Sequence, residues 1–105
     1  MTNAFGVKLD SNGYAPSIVH PIGDACFRCD YMGELARHEI FNGSYRGKSK
    51  ALGLWVYLCP QCHALIHRER DERMKLKVIG QRDAMYWYDW STDDFRKEFG
   101  KNYDT

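Results

Sequence analysis

The four cysteines of this chain fall into two Cys-x-x-Cys pairs, Cys26/Cys29 and Cys59/Cys62. Two residues between the members of a pair let one tight turn aim both thiolates at a single ion, at metal–sulfur distances of about 2.3 Å. Two such pairs complete a tetrahedral shell around one zinc ion without a further ligand. Redox Cys-x-x-Cys motifs occur singly and on a βαβ pattern, so we interpret these cysteines as a structural zinc site.

A pair of histidines directly follows the second cysteine pair. His63 and His67 are four residues apart, so on a helix they share one face and can bind a single ion. Adjacent helical residues point about 100° apart, so Cys62 and His63 must face different ions or different sides of the helix. Taken alone, such histidines are more commonly packing or surface residues. Because the cysteines already complete a zinc shell, these two histidines are available to a second metal.

Two predicted strands and a helix position these ligands. The segments 35–41 (LARHEIF) and 52–58 (LGLWVYL) are predicted strands, and the polar stretch 42–50 between them is a predicted loop with three basic residues. The second strand runs into Cys59, and Pro60 suits the first turn of a helix that carries the remaining cysteine and both histidines. This pattern predicts a small α+β fold.

The C-terminal part is predicted to be helical. A long helix is expected over residues 72–88, followed by a short helix that Ser91 and Asp94 cap and Gly100 ends. Apolar side chains at helical spacing are usually core residues. Those expected on the buried side of the long helix are Met74, Val78, Ile79, Met85 and Tyr86, and those expected to pack the tail onto the core are Trp87, Trp90, Phe95 and Phe99.

Length and composition indicate one globular domain. The chain has 105 residues, of which 44% are hydrophobic and 28% charged, without a low-complexity run. We expect residues 1–105 to form a single domain with a core over 24–70 and a helical tail over 71–105. The segment 5–22 is predicted to be irregular apart from a short strand at 18–19. A structural metal suits a chain of this size, because it adds folding energy to a small core.

The same sequence argues against a membrane or secreted protein. No apolar stretch approaches the roughly 18 residues of a membrane span, and the N-terminus lacks a basic region followed by an apolar one. We therefore expect a cytoplasmic protein without a membrane partner. In a reducing cytosol, paired cysteines are metal ligands more often than disulfides.

The net charge of +1 is distributed unevenly. Residues 37–82 carry ten basic and four acidic side chains, whereas the flanking segments 1–36 and 83–105 are both net acidic. A local positive field around a metal site favours a polyanionic partner, most simply nucleic acid. For the basic run from Arg68 to Arg82 alone, a solvated helix face is an equally good interpretation.

A strand bearing His38-Glu39, followed by a strand that ends in Cys-x-x-Cys-His-x-x-x-His at the start of a helix, resembles the ββα-metal core of HNH endonucleases. Over residues 26–67 the chain is most similar to the small, zinc-containing, treble-clef-like HNH proteins of phages and prophages. The tail sequences IGQRDAM and DDFRKEFGKNY also look like the end of such proteins. The resemblance implies this core with additional C-terminal helices, in a protein that acts in the cytoplasm of a bacterial host.

The resemblance also assigns roles to individual residues. His38, His63 and His67 would hold a catalytic divalent ion (Mg²⁺, Mn²⁺, Ni²⁺ or Zn²⁺) for one-metal hydrolysis of DNA phosphodiester bonds. Glu39 stands where the pattern has a general-base histidine, so Glu39, or His38 if the roles are exchanged, would accept the proton of the attacking water. Leu54 stands where the pattern has an asparagine that braces the loop between the strands.

Partners follow from the same resemblance. Phosphate contacts would come from the basic residues around the core, namely Arg37, Arg46, Lys48 and Lys50. Ser49 and Gln81 are further candidates for lining the site. A small nuclease that makes double-strand breaks must pair with a copy of itself or with another phage or host protein.

The alternative function is a non-catalytic module. The same zinc fold with an altered HNH triad could serve as a phage regulator that binds nucleic acid or as an inhibitor of a host protein. A plain zinc ribbon fits less well, because the 29 residues between the cysteine pairs exceed the roughly 15–20 usual there. The second metal distinguishes these hypotheses, since only the nuclease needs an ion at the three histidines.

Overall fold

The computed structural model describes residues 1–104 and contains a two-stranded sheet and four α-helices within them. The predicted α+β class is therefore confirmed. In chain order the elements are β1 (Ala36–Glu39), a 3-10 turn (Gly43–Tyr45), α1 (Arg46–Ala51), β2 (Trp55–Leu58), α2 (Pro60–Arg68), α3 (Arg70–Tyr88) and α4 (Thr92–Phe99).

The two strands form an antiparallel hairpin in which Ala36 pairs with Leu58 and Glu39 pairs with Trp55. Both strands are shorter than the predicted segments 35–41 and 52–58. Regular pairing ends beyond Glu39, where the Ile40 N–H still donates to the Leu54 carbonyl at 3.0 Å. Gly53 then turns the chain with a positive φ of 76°, a conformation that side chains other than glycine rarely adopt.

The predicted loop between the strands is wrong over much of its length, because residues 43–51 form the 3-10 turn and α1. A buried side chain explains the difference. The hydroxyl of Ser49 accepts a hydrogen bond from the Phe41 N–H at 3.1 Å and donates one to the Leu54 carbonyl at 2.5 Å. These bonds fasten a polar, exposed helix to the end of β1 and the start of β2, a tertiary contact that local composition does not reveal.

The N-terminal segment lies along β2 and is irregular, as predicted, but residues 18–19 do not form the expected strand. The segment is bonded largely through side chains instead. The indole N–H of Trp55 donates to the Ala15 carbonyl at 2.8 Å, and the Ser17 hydroxyl donates to the Trp55 carbonyl at 2.6 Å. Two backbone bonds accompany them, from the Ala15 N–H to the Lys50 carbonyl and from the Ile18 N–H to the Gly53 carbonyl.

The buried face of the long helix α3 matches the prediction only in part. Met74, Val78 and Met85 are half-buried, and Met85 packs against the core. The buried residues of the helix are Leu76, Gly80, Gln81 and Ala84, whereas Ile79 and Tyr86 are exposed. Small residues explain the choice of face, since a Cβ atom at position 80 would lie 2.9 Å from a methyl carbon of Ile40. The helix therefore approaches the hairpin closely on the Gly80 side, and Ile79 and Tyr86 point away from it.

The C-terminal helix α4 agrees with its prediction. Ser91 and Asp94 form a capping box, and Gly100 ends the helix in the left-handed conformation. Phe95 and Phe99 are buried against Phe41. Of the two tryptophans expected to pack the tail, Trp90 stacks on Tyr88, but Trp87 is exposed, contrary to expectation.

Within the described chain, no helix has the length and apolar character needed to cross a membrane.

Candidate metal centres

The structure brings the sulfur atoms of all four cysteines within 4.8 Å of one another. In a tetrahedron with metal–sulfur bonds of about 2.3 Å, neighbouring sulfurs lie about 3.8 Å apart. The observed separation between the sulfurs of Cys29 and Cys59 is 3.7 Å, which matches that geometry. The cluster can therefore hold a structural metal such as zinc.

Local structure explains how the second cysteine pair is aimed. Cys59 is the N-cap of α2, and its sulfur accepts a hydrogen bond from the Cys62 N–H at 3.5 Å. Pro60 occupies the first turn, where its missing N–H is not needed. The first cysteine pair is held against the sheet, because the N–H of Phe27 donates to the Tyr57 carbonyl at 2.9 Å.

The electrostatics of the cysteine cluster favour a cation. Burial raises the pKa of the Cys26 thiol, but nearby backbone N–H groups outweigh it and lower the pKa to about 6. Burial raises the pKa of Cys62 to about 12. Four thiolates this close repel one another, so full ionisation requires a positive ion at their centre. Arg28 supports the site from outside, donating to the Cys62 sulfur at 3.7 Å and to Glu72 of α3 at 2.9 Å.

A second cluster joins His38 of β1 to His63 and His67 of α2. One ring nitrogen from each of the three lies within 4.8 Å of the others. The Nε2 atoms of His63 and His67 are only 3.1 Å apart, as expected for side chains one helical turn from each other. His38 in β1 is 6% exposed and forms the buried side of the cluster. His63 and His67 on α2 form the side that is nearer to solvent.

The imidazoles of this cluster are suited to metal binding because the free electron pair of a neutral ring is what binds a metal. Burial, followed by the charges of His63 and His67, lowers the pKa of His38 to about 4. Burial and the charge of His67 also lower the pKa of His63. His38 is therefore neutral at pH 7.

Glu39 lines the same cleft but is not a member of the histidine cluster. Its carboxylate forms an ion pair with Arg46 and lies beside the hydroxyl of Tyr14. Burial raises the pKa of Glu39, but hydrogen bonding from Arg46 and Tyr14 outweighs burial and holds the pKa below its usual value. The carboxylate is thus ionised at neutral pH and is already engaged by a cation.

The four basic residues predicted to contact phosphates are not gathered in one place. Arg37 and Arg46 line the cleft of about 250 Å³ that contains the three histidines. Lys48 instead points to α4, where it pairs with Glu98 at 3.3 Å, and Lys50 lies over the ring of Tyr14, 4.7 Å from its centroid. Arg37 is also engaged, by Asp10 at 2.8 Å.

Of the two further candidates for lining the site, neither reaches the histidines. Ser49 braces the hairpin, as described above. Gln81 ties down the C-terminal tail, donating to the Asn102 side chain at 2.7 Å and accepting from the Tyr103 N–H at 2.7 Å.

Sequence reasoning missed three residues at these sites: Tyr14 beside Glu39, Asn42 in the cleft and Arg28 behind the cysteines. Asn42 had a signal, since it lies three residues after the end of β1 and polar residues near strand ends often line sites. Tyr14 and Arg28 had none, because each meets its partner through the tertiary fold.

A comparison of this chain with protein-family models, curated proteins and solved structures finds no match.

Proposed function

We propose that this protein is a metal-dependent endonuclease of HNH type that hydrolyses DNA phosphodiester bonds. The observation that carries the proposal is the meeting of His38 with His63 and His67 in a cleft that also contains Glu39 and two arginines. A strand histidine followed by two helical histidines is the arrangement that the HNH resemblance requires. No cysteine lines the cleft, which supports a purely structural role for the cysteine cluster.

The donor set favours particular ions. Three imidazoles without a carboxylate suit zinc, nickel or a similar transition ion, whereas magnesium prefers oxygen ligands. When bound, such an ion would supply Lewis-acid stabilisation of the negative charge that develops on the phosphodiester. Three protein ligands leave coordination positions open, as a catalytic site requires.

Glu39 is the proposed general base. It is ionised at neutral pH and lies in the cleft, so it can accept a proton from an attacking water molecule. Arg46 must release it for this to happen. The side chain of Arg46 is 63% exposed, so it can turn toward an entering phosphate, which offers the guanidinium a second anionic partner. Arg37, two residues before Glu39 in β1, also lines the cleft and would contact a flanking phosphate by leaving its ion pair with Asp10.

The replacement of the family's asparagine by Leu54 does not weaken the proposal. Leu54 is fully buried, and its backbone N–H and carbonyl are both bonded to Ser49. The loop between the strands is therefore braced through Ser49, which also holds Phe41 after the end of β1. The position of Glu39 relative to the histidines depends on this brace.

The test is a nicking assay of the purified full-length protein on supercoiled plasmid, with Mg²⁺, Mn²⁺, Ni²⁺ or Zn²⁺ added singly. We expect open-circular product, more with the transition ions than with Mg²⁺. His67→Ala should abolish the nicking, because two imidazoles hold the ion poorly. His67 is exposed, so this variant should keep its fold.

A matched control is available in His20→Asn, which removes the only histidine outside the cluster. His20 packs on Phe27 and accepts a hydrogen bond from the Tyr57 N–H, away from the cleft. Nicking by this variant should persist at a temperature where it is folded. Absence of nicking by the wild-type protein with every ion, or equal nicking by His67→Ala, would refute the proposal and leave a zinc-held binding module.

A further inference from the structure

A stripe of basic side chains lies on one face of α3. Arg70, Arg73 and Lys77 are spaced by three and four residues, which places them on the same side of the helix. Lys101, beyond α4, joins them in space, because the ammonium groups of Lys77 and Lys101 each lie 5.3 Å from the ring centroid of Tyr103. These four residues are called the α3 stripe.

The α3 stripe differs from other basic groups in having no acidic partner. Within residues 1–104, no carboxylate lies within 4 Å of a charged nitrogen of any of its four members. By contrast, Lys75 pairs with Glu72 and Arg82 pairs with Asp104 on other faces of the same helix. Most of the predicted phosphate contacts are paired as well, as described above.

The four cations also repel one another. Burial lowers the pKa of Lys77, and the charges of Arg73, Lys101 and Arg70 lower it further. The fold nevertheless holds Lys77 half-buried among them. A concentration of like charge that no acidic group offsets creates a local positive potential, which attracts a polyanion.

The stripe begins at the histidine cluster. A guanidinium nitrogen of Arg73 donates to the carbonyl of His67 at 2.7 Å and to that of Ile66 at 3.2 Å. These bonds fix the start of the stripe to the end of α2, next to an outer ligand of the candidate metal site. Lys77 is also close enough to His38 for its charge to lower the pKa of that histidine. An anion lying along α3 would therefore lie beside the histidine cluster.

We propose that the α3 stripe binds the phosphate backbone of duplex DNA beside the cleft. From Arg70 to Lys77 the helix rises about 10 Å. Each strand of B-DNA carries one phosphate per about 3.4 Å of helix axis, so a stripe of this length can contact more than one phosphate of the duplex. The inference rests on the proposed nuclease function and assigns it a substrate-binding surface outside the residues predicted from sequence.

The test measures the affinity of the zinc-loaded, full-length protein for a labelled DNA duplex at several salt concentrations, without added divalent metal. The variant is Arg70→Gln/Lys101→Gln, which changes the two exposed members of the stripe. We expect its slope of log Kd against log salt to fall by about two, and its binding to be roughly tenfold weaker near 0.15 M salt. The control Lys75→Gln/Arg96→Gln removes the same charge from cations paired with acids and should behave like wild type.

Three results would overturn the inference: an unchanged slope in the stripe variant, an equal loss in the control variant, or preferential binding of single-stranded RNA of the same length. Failure of the nuclease proposal is distinguishable. In that case the plasmid would stay intact with every metal while the salt slope still depended on the stripe. Conversely, nicking by the wild-type protein combined with an unchanged salt slope in the stripe variant would refute only the DNA-binding role of the α3 stripe.

Discussion

At the scale of single residues, the carboxylate of Glu39 has two sets of neighbours: Arg46 and Tyr14, which bind it, and the histidines, on which its charge acts. Arg46 and Tyr14 hold it in the ionised form but occupy its oxygens. On the other side lie the histidines, since the charge of Glu39 acts on His38 and His63 and partly opposes the lowering of their pKa by burial. Glu39 therefore lies near the cluster without belonging to it, as the proposed role of general base requires.

Substitution of Glu39 separates these roles. Glu39→Gln keeps the shape of the side chain and removes the proton acceptor, so the nicking rate should fall by about 10²–10⁴-fold, the usual size of general-base catalysis. Affinity of the histidine cluster for Ni²⁺, measured by calorimetric titration, should remain close to that of wild type. Loss of Ni²⁺ binding in this variant would instead make Glu39 a ligand and His38 the better candidate for the base.

Individual site residues were predictable to the extent that spacing along the chain determines them. The cysteine pairs are each local, and His63 and His67 share one helical turn, so their meeting follows from sequence. His38 came from the resemblance to a known family. Tyr14 was out of reach, because its approach to Glu39 depends on how the N-terminal segment lies along the hairpin.

At the scale of elements, the approach of α3 to the hairpin controls the shape of the core. Gly80 makes this approach possible, since Ile40 and Phe41 would both lie 3.2 Å or closer to a Cβ atom at that position. Both side chains are almost fully buried, so they have little room to move. They directly follow Glu39, the last residue of β1, so a shift of α3 would also move Glu39.

Gly80→Ala should therefore destabilise the protein, although alanine is the better helix former by about 1 kcal/mol. Overpacking of a buried contact typically costs about 1–3 kcal/mol, which outweighs that gain. Chemical denaturation with urea measures the difference. Gly47→Ala, in α1 with open space around its Cα, is the matched control and should be neutral or stabilising. A Gly80→Ala protein more stable than wild type would show that the hairpin yields to the added methyl group.

The prediction of elements failed where tertiary contacts override local preference. Helix α1 has a polar, glycine-containing sequence typical of a loop, and its bonds through Ser49 reach both strands. Residues 18–19 have strand-forming side chains, but this segment is held to β2 largely by side-chain hydrogen bonds of Ser17 and Trp55 and not by a regular backbone ladder. The prediction of helix α4 was correct because its capping box and terminal glycine are signals in the local sequence.

At the scale of the whole molecule, the cysteine cluster joins two distant parts of the chain. One pair lies before the hairpin and the other begins α2, so the hairpin and α1 are enclosed between them. Apparent zinc-binding free energies at such sites are about 10–16 kcal/mol, comparable to the roughly 5–15 kcal/mol total stability of a domain. Zinc of this affinity would decide whether a chain of 105 residues folds.

Cys59→Ser should therefore release zinc and abolish the cooperative thermal transition. The substitution removes one of four thiolates and replaces the sulfur that caps α2. Zinc content by elemental analysis and melting followed by circular dichroism provide the measurements. His67→Ala, which leaves all four cysteines in place, should keep one zinc per chain and melt close to wild type. A Cys59→Ser protein with the wild-type melt would contradict a structural zinc.

Neighbouring residues of α2 belong to different clusters, since Cys62 contributes to one and His63 to the other. An ion at either cluster holds the same helical turn in place and reduces the ordering that the other ion must bring about. With the proposed second metal bound at the histidines, the two metal affinities would be thermodynamically linked, and each ion would tighten binding of the other by the same factor. Zinc availability in the cell would then set both the amount of folded protein and the concentration at which the second metal fills its site.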